Sequence, residues 1–515
     1  MPSSRVKYSI KNARVTLIFY LLMLLVNFFS RRVFIDFLGS DLVGLTGTML
    51  SYIGFLNLAE LGISVAIANA LYLPLHKDDK RKINEIVSLY GFIFRWVGLL
   101  IGTVGLLFSC FFPIIFAGAG LPLWVIYLTF YTFMATTMLS YLVNYKQNLL
   151  NAGQKGYIAV RTLNISLIVK ITLQMVCLKY FEAGMVSYLL LEVVFGVVFS
   201  VWLSREINKE YPWLKSSYCL GKIASRNNPS IFKNIRQFFS QRIAGFVLIN
   251  SDPIVVQNIM GFSWVTNYTN YTMIMQRVVQ LIAGSLNNSY ASVGNLVAAG
   301  DKAKIKQVFW QFNALYFWIG GLVSFGFFHL IGPFIPLWLG DEGVVLSKEV
   351  TFLLAMVLFF NFVRNTQQYY LNAYGLYGDV WAAWSEAALN LTISIVVGLQ
   401  YGLIGIVGGT AISTFIFAIL WKPYYLYRYG FGQKSTEYWL TILKHTTIIA
   451  LAWTLSPLML EAQWMPSGES WLGIMVQGVA TLVIFGGLSG VGMYFTSSGM
   501  RTLIKLWMDI LLKRK

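Results

Sequence analysis

Fourteen apolar stretches recur from one end of this 515-residue chain to the other. Each is close to, or longer than, the ~18 residues that an α-helix needs to cross a membrane. In lipid every backbone N–H and C=O group must be paired within the chain, so only helices or closed barrels span it. Continuous apolar runs favour helices, because barrel strands alternate in polarity. The sequence therefore predicts spans near residues 14–30, 46–70, 91–115, 122–143, 160–178, 185–203, 238–259, 267–293, 307–331, 350–370, 380–399, 402–421, 441–459 and 471–494.

Composition agrees with an all-α integral membrane protein. Hydrophobic residues make up 57% of the chain and charged residues 12%, whereas a soluble domain carries about twice that charge. The net charge of +18 comes from Lys and Arg that gather at both termini and in alternate connections, and this bias predicts that both termini are cytoplasmic. The outer loops hold only Arg31, Arg32, Lys179 and Lys348. Because topology accounts for the basic charge, we predict no nucleic-acid partner.

The chain also repeats itself about 221 residues later, which is the mark of a duplicated unit. The matching segments are Asp79–Ile83 with Asp301–Ile305, Leu150–Ala152 with Leu371–Ala373, Gly39 with Gly261, Val43 with Val265, Pro113 with Pro333, Tyr180 with Tyr401 and Gly184 with Gly405. The offset covers six predicted spans, an even number, so both copies enter the bilayer in the same orientation. We predict two parallel six-helix repeats around a central cavity, plus two extra C-terminal helices.

The repeat sets the predicted domain boundaries. These are an N-terminal six-helix lobe at 1–205, a cytoplasmic linker at 206–237, a C-terminal six-helix lobe at 238–425, two additional transmembrane helices at 426–498 and an amphipathic cytoplasmic tail at 499–515. A frayed tail is the alternative for the last segment. Two pseudo-equivalent lobes favour a transporter that works by alternating access.

Enzymatic signatures are missing from the sequence. It contains no phosphate-binding G-x-x-x-x-G-K-[ST] motif, and its longest outer loop, about 332–349, is too small to house a metal-bound sugar-transfer site. Cys110, Cys177 and Cys219 are scattered, so neither a disulfide framework nor a metal site is indicated. We predict no catalytic residues, no cofactor and no metal.

Ionisable residues inside spans are costly and are therefore candidates for function. Arg277 is the deepest and shares a helical face with two polar residues, and Arg364 lies on a second polar face. The predicted substrate-binding residues are Arg277, Asn270, Gln280, Arg364, Asn361, Gln368 and Lys170. The alternative is that these stripes form hydrogen bonds between packed helices.

Two carboxylates are candidates for ion coupling. Glu60 shares a face with Asn57 and Ser64, and Asp252 precedes Pro253, which is expected to break or kink the seventh span. A carboxylate at a helix break could bind Na⁺ or H⁺. It could equally pair with Arg277 or another cation as a structural bridge, and the sequence leaves both readings open.

The type of deep charge bears on the substrate. A drug or cation exporter needs carboxylates, whereas a carrier of phosphorylated lipids needs cations, because a diphosphate is strongly anionic. This chain has both, and its second repeat is richer in arginine. The offset aligns Arg277 with Phe55 and Arg364 with Val143, so the deep arginines occur in the second copy only.

Several segments between about 30 and 415 resemble a known family. They are Ser30–Arg32, Leu38-Gly39, Gly44-Leu45, Leu58–Ile63, Ala70–Leu75, Ala291–Leu296, Pro336–Gly340 and Gly405–Thr410. The set resembles the Wzx-type polysaccharide flippases of the multidrug/oligosaccharidyl-lipid/polysaccharide exporter superfamily. The two extra helices are similar to those of its lipid II flippase branch. The resemblance implies two six-helix bundles that face a central cationic cavity.

The resemblance implies a function as well. It predicts a flippase that moves undecaprenyl-pyrophosphate-linked oligosaccharides across the bacterial inner membrane for assembly of O-antigen, capsule or exopolysaccharide, coupled to Na⁺ or H⁺ or driven by the membrane potential. Expected partners are the lipid-linked oligosaccharide, membrane lipids, a polysaccharide polymerase and chain-length proteins. The alternatives are a multidrug or cation antiporter of the same superfamily and an integral-membrane glycosyltransferase or ligase.

Overall fold

The protein is mostly helical in its computed structural model, and no strand occurs in the described residues. The described residues are 2–60, 63–181, 184–227, 250–286, 293, 296–297, 299–340, 344–376, 378–460 and 470–512. Eleven helices in these ranges are long and apolar enough to cross a membrane. The predicted all-α integral membrane fold is confirmed.

The chain divides into two compact units, Met1–Thr266 and Asn267–Lys515. The first unit contains α1 Pro2–Leu38, α2 Ser40–Leu56, α3 Ile63–His76, α4 Lys80–Ser109, α5 Leu123–Leu142, α6 Gly156–Phe181, α7 Gly184–Glu210 and α8 Tyr218–Asn227. It also has short helical turns at Asn57–Glu60, Phe112–Ile115, Asn144–Lys146 and Gln147–Ala152, and residues 250–260 are helical. Helix α9, Phe262–Leu286, begins in the first unit and continues in the second.

In the part of the second unit that the structure describes, seven long helices follow α9, and residues 293, 296–297 and 299 are helical as well. The seven long helices are α10 Lys302–Leu339, α11 Lys348–Ala373, α12 Val380–Tyr401, α13 Leu403–Phe431, α14 Thr436–Leu460, α15 Trp471–Thr496 and α16 Ser498–Leu512. Within α13 the segments Phe415–Trp421 and Leu426–Phe431 have wider, π-helical turns. Helix α16 lies where the sequence predicts an amphipathic tail.

Three predicted spans differ from the structure, and one of them is the third, 91–115, where α4 ends at Ser109 and the short helical turn Phe112–Ile115 follows. The second, 46–70, is not one helix, because α2 ends at Leu56 and a tight 3-10 turn follows at Asn57–Glu60. Polar side chains in this turn bond to other parts of the unit instead of facing lipid. In the seventh span, 238–249 lie outside the described residues, and helix runs through Pro253 to residue 260. Within residues 250–260 the helix therefore continues across Pro253 without a break, and the kink stays a prediction.

Parts of other predicted segments also lie outside the described residues. They are 228–237 of the linker, 287–292 of the eighth span, 513–515 of the tail, and residues 61–62, 291–292 and 294–295 of the family-like motifs.

The repeated Asp-Lys-x-Lys-Ile segment is a helix cap in both copies. The Asp79 carboxylate accepts a hydrogen bond from the Lys82 amide at the start of α4. The Asp301 carboxylate accepts from the Ala303 and Lys304 amides at the start of α10. The first turn of a helix leaves its amides without partners, and an aspartate at this position supplies one. The duplicated sequence signal thus marks where a helix begins.

The repeated glycines and the Leu-Asn-Ala segments mark chain reversals. Gly39 and Gly261 have φ of 83° and 93°, a backbone conformation that favours glycine. After each Leu-Asn-Ala segment the backbone makes the same turn: the amide of Lys155 bonds to the carbonyl of Leu150, and that of Leu376 to the carbonyl of Leu371. In both turns an amide bonds to the carbonyl five residues earlier, which is the Schellman-type hydrogen bond that ends many helices. Turn and cap chemistry therefore accounts for the Asp-Lys-x-Lys-Ile, Gly39/Gly261 and Leu-Asn-Ala matches between the two copies.

The linker contains a helix that the sequence analysis does not predict. Helix α8 packs against α4, where Gly221 lies so close to the Ser88 carbonyl that an added Cβ would be 2.3 Å from it. The Lys215 amide donates to Asn84 Oδ1 at 2.7 Å, and the Ser217 amide donates to Ser88 Oγ at 3.1 Å. The described part of the linker is therefore docked on the first unit.

The two extra helices pack closely against α10. A Cβ added at Gly321 would be 2.6 Å from Ile449 of α14, and Trp318 Nε1 donates to the Gly486 carbonyl of α15 at 3.1 Å. Small residues allow such close approach between helices in lipid. Helices α14 and α15 are thus an integral part of the second unit.

We expect the substitution Asp301→Ala to lower the free energy of unfolding by about 1 kcal/mol, because two first-turn amides lose their acceptor. Asp301→Asn keeps a side-chain oxygen and should stay close to wild type. Thermal unfolding of the purified protein in detergent measures both variants. Equal losses for Ala and Asn would show that the side chain does not act as a cap.

Candidate functional site

The lysine predicted to bind substrate is held in a buried ion pair. Lys170 of α6 is 9% exposed, and its Nζ lies 2.7 and 2.8 Å from the two carboxylate oxygens of Glu192 on α7. Gln174 donates to the same carboxylate at 3.4 Å and to the Tyr188 carbonyl at 3.0 Å. The positive charge of Lys170 is therefore neutralised inside the first unit.

Arg364 of α11 is paired in a similar way. Its Nη2 contacts both carboxylate oxygens of Glu386 on α12. The Glu386 side chain is 4% exposed and that of Arg364 is 25% exposed. An arginine paired with a carboxylate can bind an anion only if the anion displaces that carboxylate. Arg364 is therefore not available to an anion while Glu386 holds it.

Arg277 lies half-buried on α9 and contacts Gln280 one turn along the same helix, with Nη1 to Oε1 at 3.4 Å. Gln280 is exposed, whereas Asn270 on this helix is 1% exposed. The predicted polar face of α9 thus runs from a buried amide to an exposed one, and Arg277 lies between them.

The other predicted polar residues of α11 bond within their own helix. Asn361 donates to the Val357 carbonyl at 3.0 Å, and Gln368 donates to Asn372 Oδ1 at 3.0 Å. Side-chain bonds of this kind satisfy polar groups that sit inside a membrane helix. The structure brings Arg364 to Glu386, and it gives Asn361 and Gln368 local partners.

Glu60 lies in a cluster of hydroxyl and amide groups inside the first unit. Its carboxylate accepts from Ser64 Oγ at 3.0 Å, and Ser64 shares a hydrogen bond with the Tyr90 hydroxyl at 2.8 Å. Asn148 donates to the same Tyr90 hydroxyl at 2.7 Å. One turn before Glu60, the Tyr141 hydroxyl donates to Asn57 Oδ1 at 2.9 Å. These residues come from the Asn57–Glu60 turn, α3, α4, α5 and the Gln147–Ala152 turn.

This cluster differs chemically from the two ion pairs. Among the described residues no lysine or arginine lies within ion-pair distance of Glu60. A carboxylate with oxygen-bearing neighbours and no fixed cation has the donor set that Na⁺ or H⁺ requires. Asp252, the second predicted coupling residue, is 5% exposed within the helical residues 250–260.

An apolar groove of about 350 Å³ opens within the second unit. Helices α9, α10, α11 and α15 line it with Ile274, Val278, Leu322, Phe327, Leu358 and Leu482, among others. Hydrocarbon is the material that such a lining accepts. Among the described residues no group of three His, Cys, Asp or Glu side chains could hold a metal ion.

Comparison with known proteins rests on structure. No family model matches the sequence and no curated protein matches it. A solved structure of the lipid II flippase MurJ in an inward closed conformation matches 97% of this chain and 100% of its own, with a TM-score of 0.67 and 16% sequence identity. The chain shares the fold of this flippase. At this identity the likeness to MurJ shows the fold alone.

Transporters of a related kind match less of the chain. An inward-facing MATE family multidrug resistance transporter of the MOP superfamily covers 80% of it, with a TM-score of 0.56 and 16% identity. An outward-facing MATE transporter covers 82%, with a TM-score of 0.54 and 15% identity. The match to MurJ extends over nearly the whole chain, whereas about a fifth of it lies outside these two matches.

Sequence reasoning missed the partners of the predicted residues more often than the residues themselves. Tyr90, Tyr141 and Asn148 are separated from Glu60 along the chain, and a single aromatic or amide residue gives no signal that it will contact a distant carboxylate. Glu386 lies near one end of the predicted span 380–399, where a carboxylate needs no partner. A search for opposite charges on consecutive spans could have found both ion pairs.

We expect Glu386→Gln to lower the free energy of unfolding by about 2–3 kcal/mol, because Arg364 then keeps its charge without a carboxylate. The double change Arg364→Met with Glu386→Leu should recover most of this loss. Thermal unfolding in detergent compares the variants, and Asp36→Asn, in the exposed pair of Arg32 and Asp36, is a control expected within about 0.5 kcal/mol of wild type. A double variant no more stable than Glu386→Gln would contradict a coupled pair.

Proposed function

We propose that the protein is a flippase that moves undecaprenyl-pyrophosphate-linked oligosaccharides across the bacterial cytoplasmic membrane by alternating access. Its product would feed the assembly of a surface polysaccharide such as O-antigen, capsule or exopolysaccharide. The observation that carries the proposal is the match of nearly the whole chain, including both extra helices, to a lipid II flippase.

The arrangement of charge supports an anionic, lipid-linked substrate. Arg277 lies half-buried on α9 within a polar face, and we assign it to the diphosphate, whose charge an arginine can meet with several hydrogen bonds. Arg364 would take part only after the diphosphate displaces Glu386. The sugars would pass through a water-filled cavity, and the polyprenyl tail would stay in lipid, where the apolar groove of the second unit offers a hydrocarbon surface.

Energy would come from an ion gradient or from the membrane potential. We assign Glu60 to ion coupling because hydroxyl and amide groups surround its carboxylate without a fixed cation among the described residues. Asp252 is the second assignment. Both termini would face the cytoplasm, and a polysaccharide polymerase and chain-length proteins would act on the product.

A multidrug or cation antiporter is the second candidate, and the likeness to MATE transporters favours it. Such a protein would need carboxylates where its cationic substrate binds. The Glu60 cluster meets that need, whereas Arg277 does not. A glycosyltransferase or ligase is the third candidate, and sugar transfer by the pure protein would support it.

The first test replaces Arg277. Arg277→Ala should lower the amount of polymer at the cell surface by about tenfold or more, because a charge-assisted hydrogen bond contributes about 1.5–3 kcal/mol. Arg277→Lys should keep part of the export, and lipid-linked units should accumulate in the inner leaflet in proportion to the loss.

Gln276→Ala, at the exposed neighbouring position, is the matched control and should export normally. Full export by a normally inserted Arg277→Ala protein would remove Arg277 from the site. If deletion of the gene raises drug sensitivity and leaves surface polymer intact, the protein is an antiporter instead.

The second test concerns ion coupling. The uncharged variants Glu60→Gln and Asp252→Asn should make polymer export less dependent on the proton or sodium gradient, because neither can gain and lose a cation. Export rates are compared with and without a protonophore or a sodium ionophore, and Asp36→Asn is the control. Wild-type gradient dependence in both variants would refute both assignments.

A further inference from the structure

A cleft of about 400 Å³ lies at the end of α13, where the chain turns into the first of the two extra helices. It is lined by Tyr424, Arg428, Gly432, Gln433, Lys434, Ser435 and Thr436. Gly432 turns the chain back with a φ of 65°, and the Gln433 amide bonds to the Tyr427 carbonyl at 3.0 Å. The turn therefore places residues from both sides of Gly432 around one space.

The charge around this cleft is positive. Arg428 and Lys434 are both exposed, and no acidic side chain among the described residues lies within ion-pair distance of either. The nearby carboxylate of Glu437 is paired with Lys306 at 2.5 Å, and Lys306 also donates to Gln433 at 3.3 Å. Glu437 is thus neutralised by Lys306, and among the described residues neither Arg428 nor Lys434 has an acidic partner.

An aromatic cluster continues from the cleft along the surface. Tyr424, which lines the cleft, lies 5.7 Å from Trp421, and Trp421 lies 4.6 Å from Trp381 and 5.9 Å from Tyr425, measured between ring centres. Tyr425 lies 4.8 Å from Tyr429. Of these rings Trp381, Tyr424 and Tyr429 are 53%, 45% and 61% exposed. Exposed Trp and Tyr side chains gather where a membrane protein meets the lipid headgroups.

The cations and the rings point to the same ligand. An aromatic cluster marks the depth of the headgroups, and two open cations beside it lie at the level of lipid phosphates. The first turn of α14, which begins at Thr436, adds the positive end of a helix dipole. A soluble anion would satisfy the cations, but it would make no use of the rings.

We propose that this cleft is a binding site for the phosphate of an anionic lipid headgroup, with Arg428 and Lys434 as its cations and the rings from Trp381 to Tyr429 as its border toward the bilayer. The site is separate from the residues assigned to transport. It holds a phosphorylated lipid at the junction of the second lobe and the extra helices whether or not the protein is a flippase.

Native mass spectrometry of the full-length protein in detergent tests the proposal. The probes are a short-chain phosphatidylglycerol, a phosphatidylcholine of the same chain length and inorganic pyrophosphate. Wild type should retain phosphatidylglycerol in preference to phosphatidylcholine. The double variant Arg428→Gln with Lys434→Gln should bind phosphatidylglycerol at least about tenfold more weakly, because each basic residue near a lipid surface contributes about fivefold in affinity.

The control variant removes the same types of charge from exposed positions of the first unit, Lys77→Gln with Arg81→Gln, and should bind like wild type. Unfolding midpoints show whether each variant is folded. If the double variant is not folded, the single variants Arg428→Gln and Lys434→Gln are measured instead. Each should bind phosphatidylglycerol about fivefold more weakly than wild type.

Equal binding of phosphatidylglycerol by the double variant and the control would overturn the proposal. Pyrophosphate binding that depends on Arg428 and Lys434, with no such dependence for phosphatidylglycerol, would overturn it as well, because the cleft would then take a soluble anion.

Discussion

In hydrocarbon a backbone amide or carbonyl without a partner costs several kcal/mol, and this cost decides where the chain can depart from the helix. At the ends of helices, particular residues avoid this cost by supplying a hydrogen-bond partner or by allowing the backbone to turn. Asp79 and Asp301 accept the first amides of α4 and α10, and Gly39 and Gly261 allow the backbone to reverse. Inside a predicted span, the turn at Asn57–Glu60 keeps its polar side chains bonded to the rest of the first unit. The need to pair every backbone amide and carbonyl thus explains both the regular helices and the way in which they end.

The same requirement acts on side chains. Lys170 with Glu192 and Arg364 with Glu386 form ion pairs within one unit each, so four deep charges cancel in two neutral pairs. Glu60 is arranged differently, with hydroxyl and amide partners and no cation close to it among the described residues. Paired charges hold helices together, whereas a carboxylate without a fixed cation can exchange one. Glu60 thus differs from the four paired charges in the kind of partner it has.

Much of the fold follows from the sequence, because long apolar runs and the repeat are strong, regular signals. These signals locate the extra pair α14 and α15 and the turns after Leu150–Ala152 and Leu371–Ala373. They also locate the first turns of α4 and α10, where an aspartate caps the helix. The broken second span and helix α8 cannot, since both depend on contacts with distant residues such as Tyr141 and Ser88. For the site, the depth of Lys170 and Arg364 was visible, but their neutralisation by Glu192 and Glu386 was not. Periodicity shows on which face of its helix a residue lies, but it does not show which neighbouring helix packs against that face.

Each of the two buried ion pairs joins consecutive helices, and its members are 22 residues apart in the chain. A lone charge is costly to move into a bilayer, and it would oppose the insertion of its helix. When α6 and α7, or α11 and α12, enter together as a hairpin, the carboxylate of one cancels the cation of the other before either faces lipid. The ion pairs therefore matter for membrane insertion as well as for the finished fold. Replacing one partner should make the insertion of both helices less favourable during synthesis.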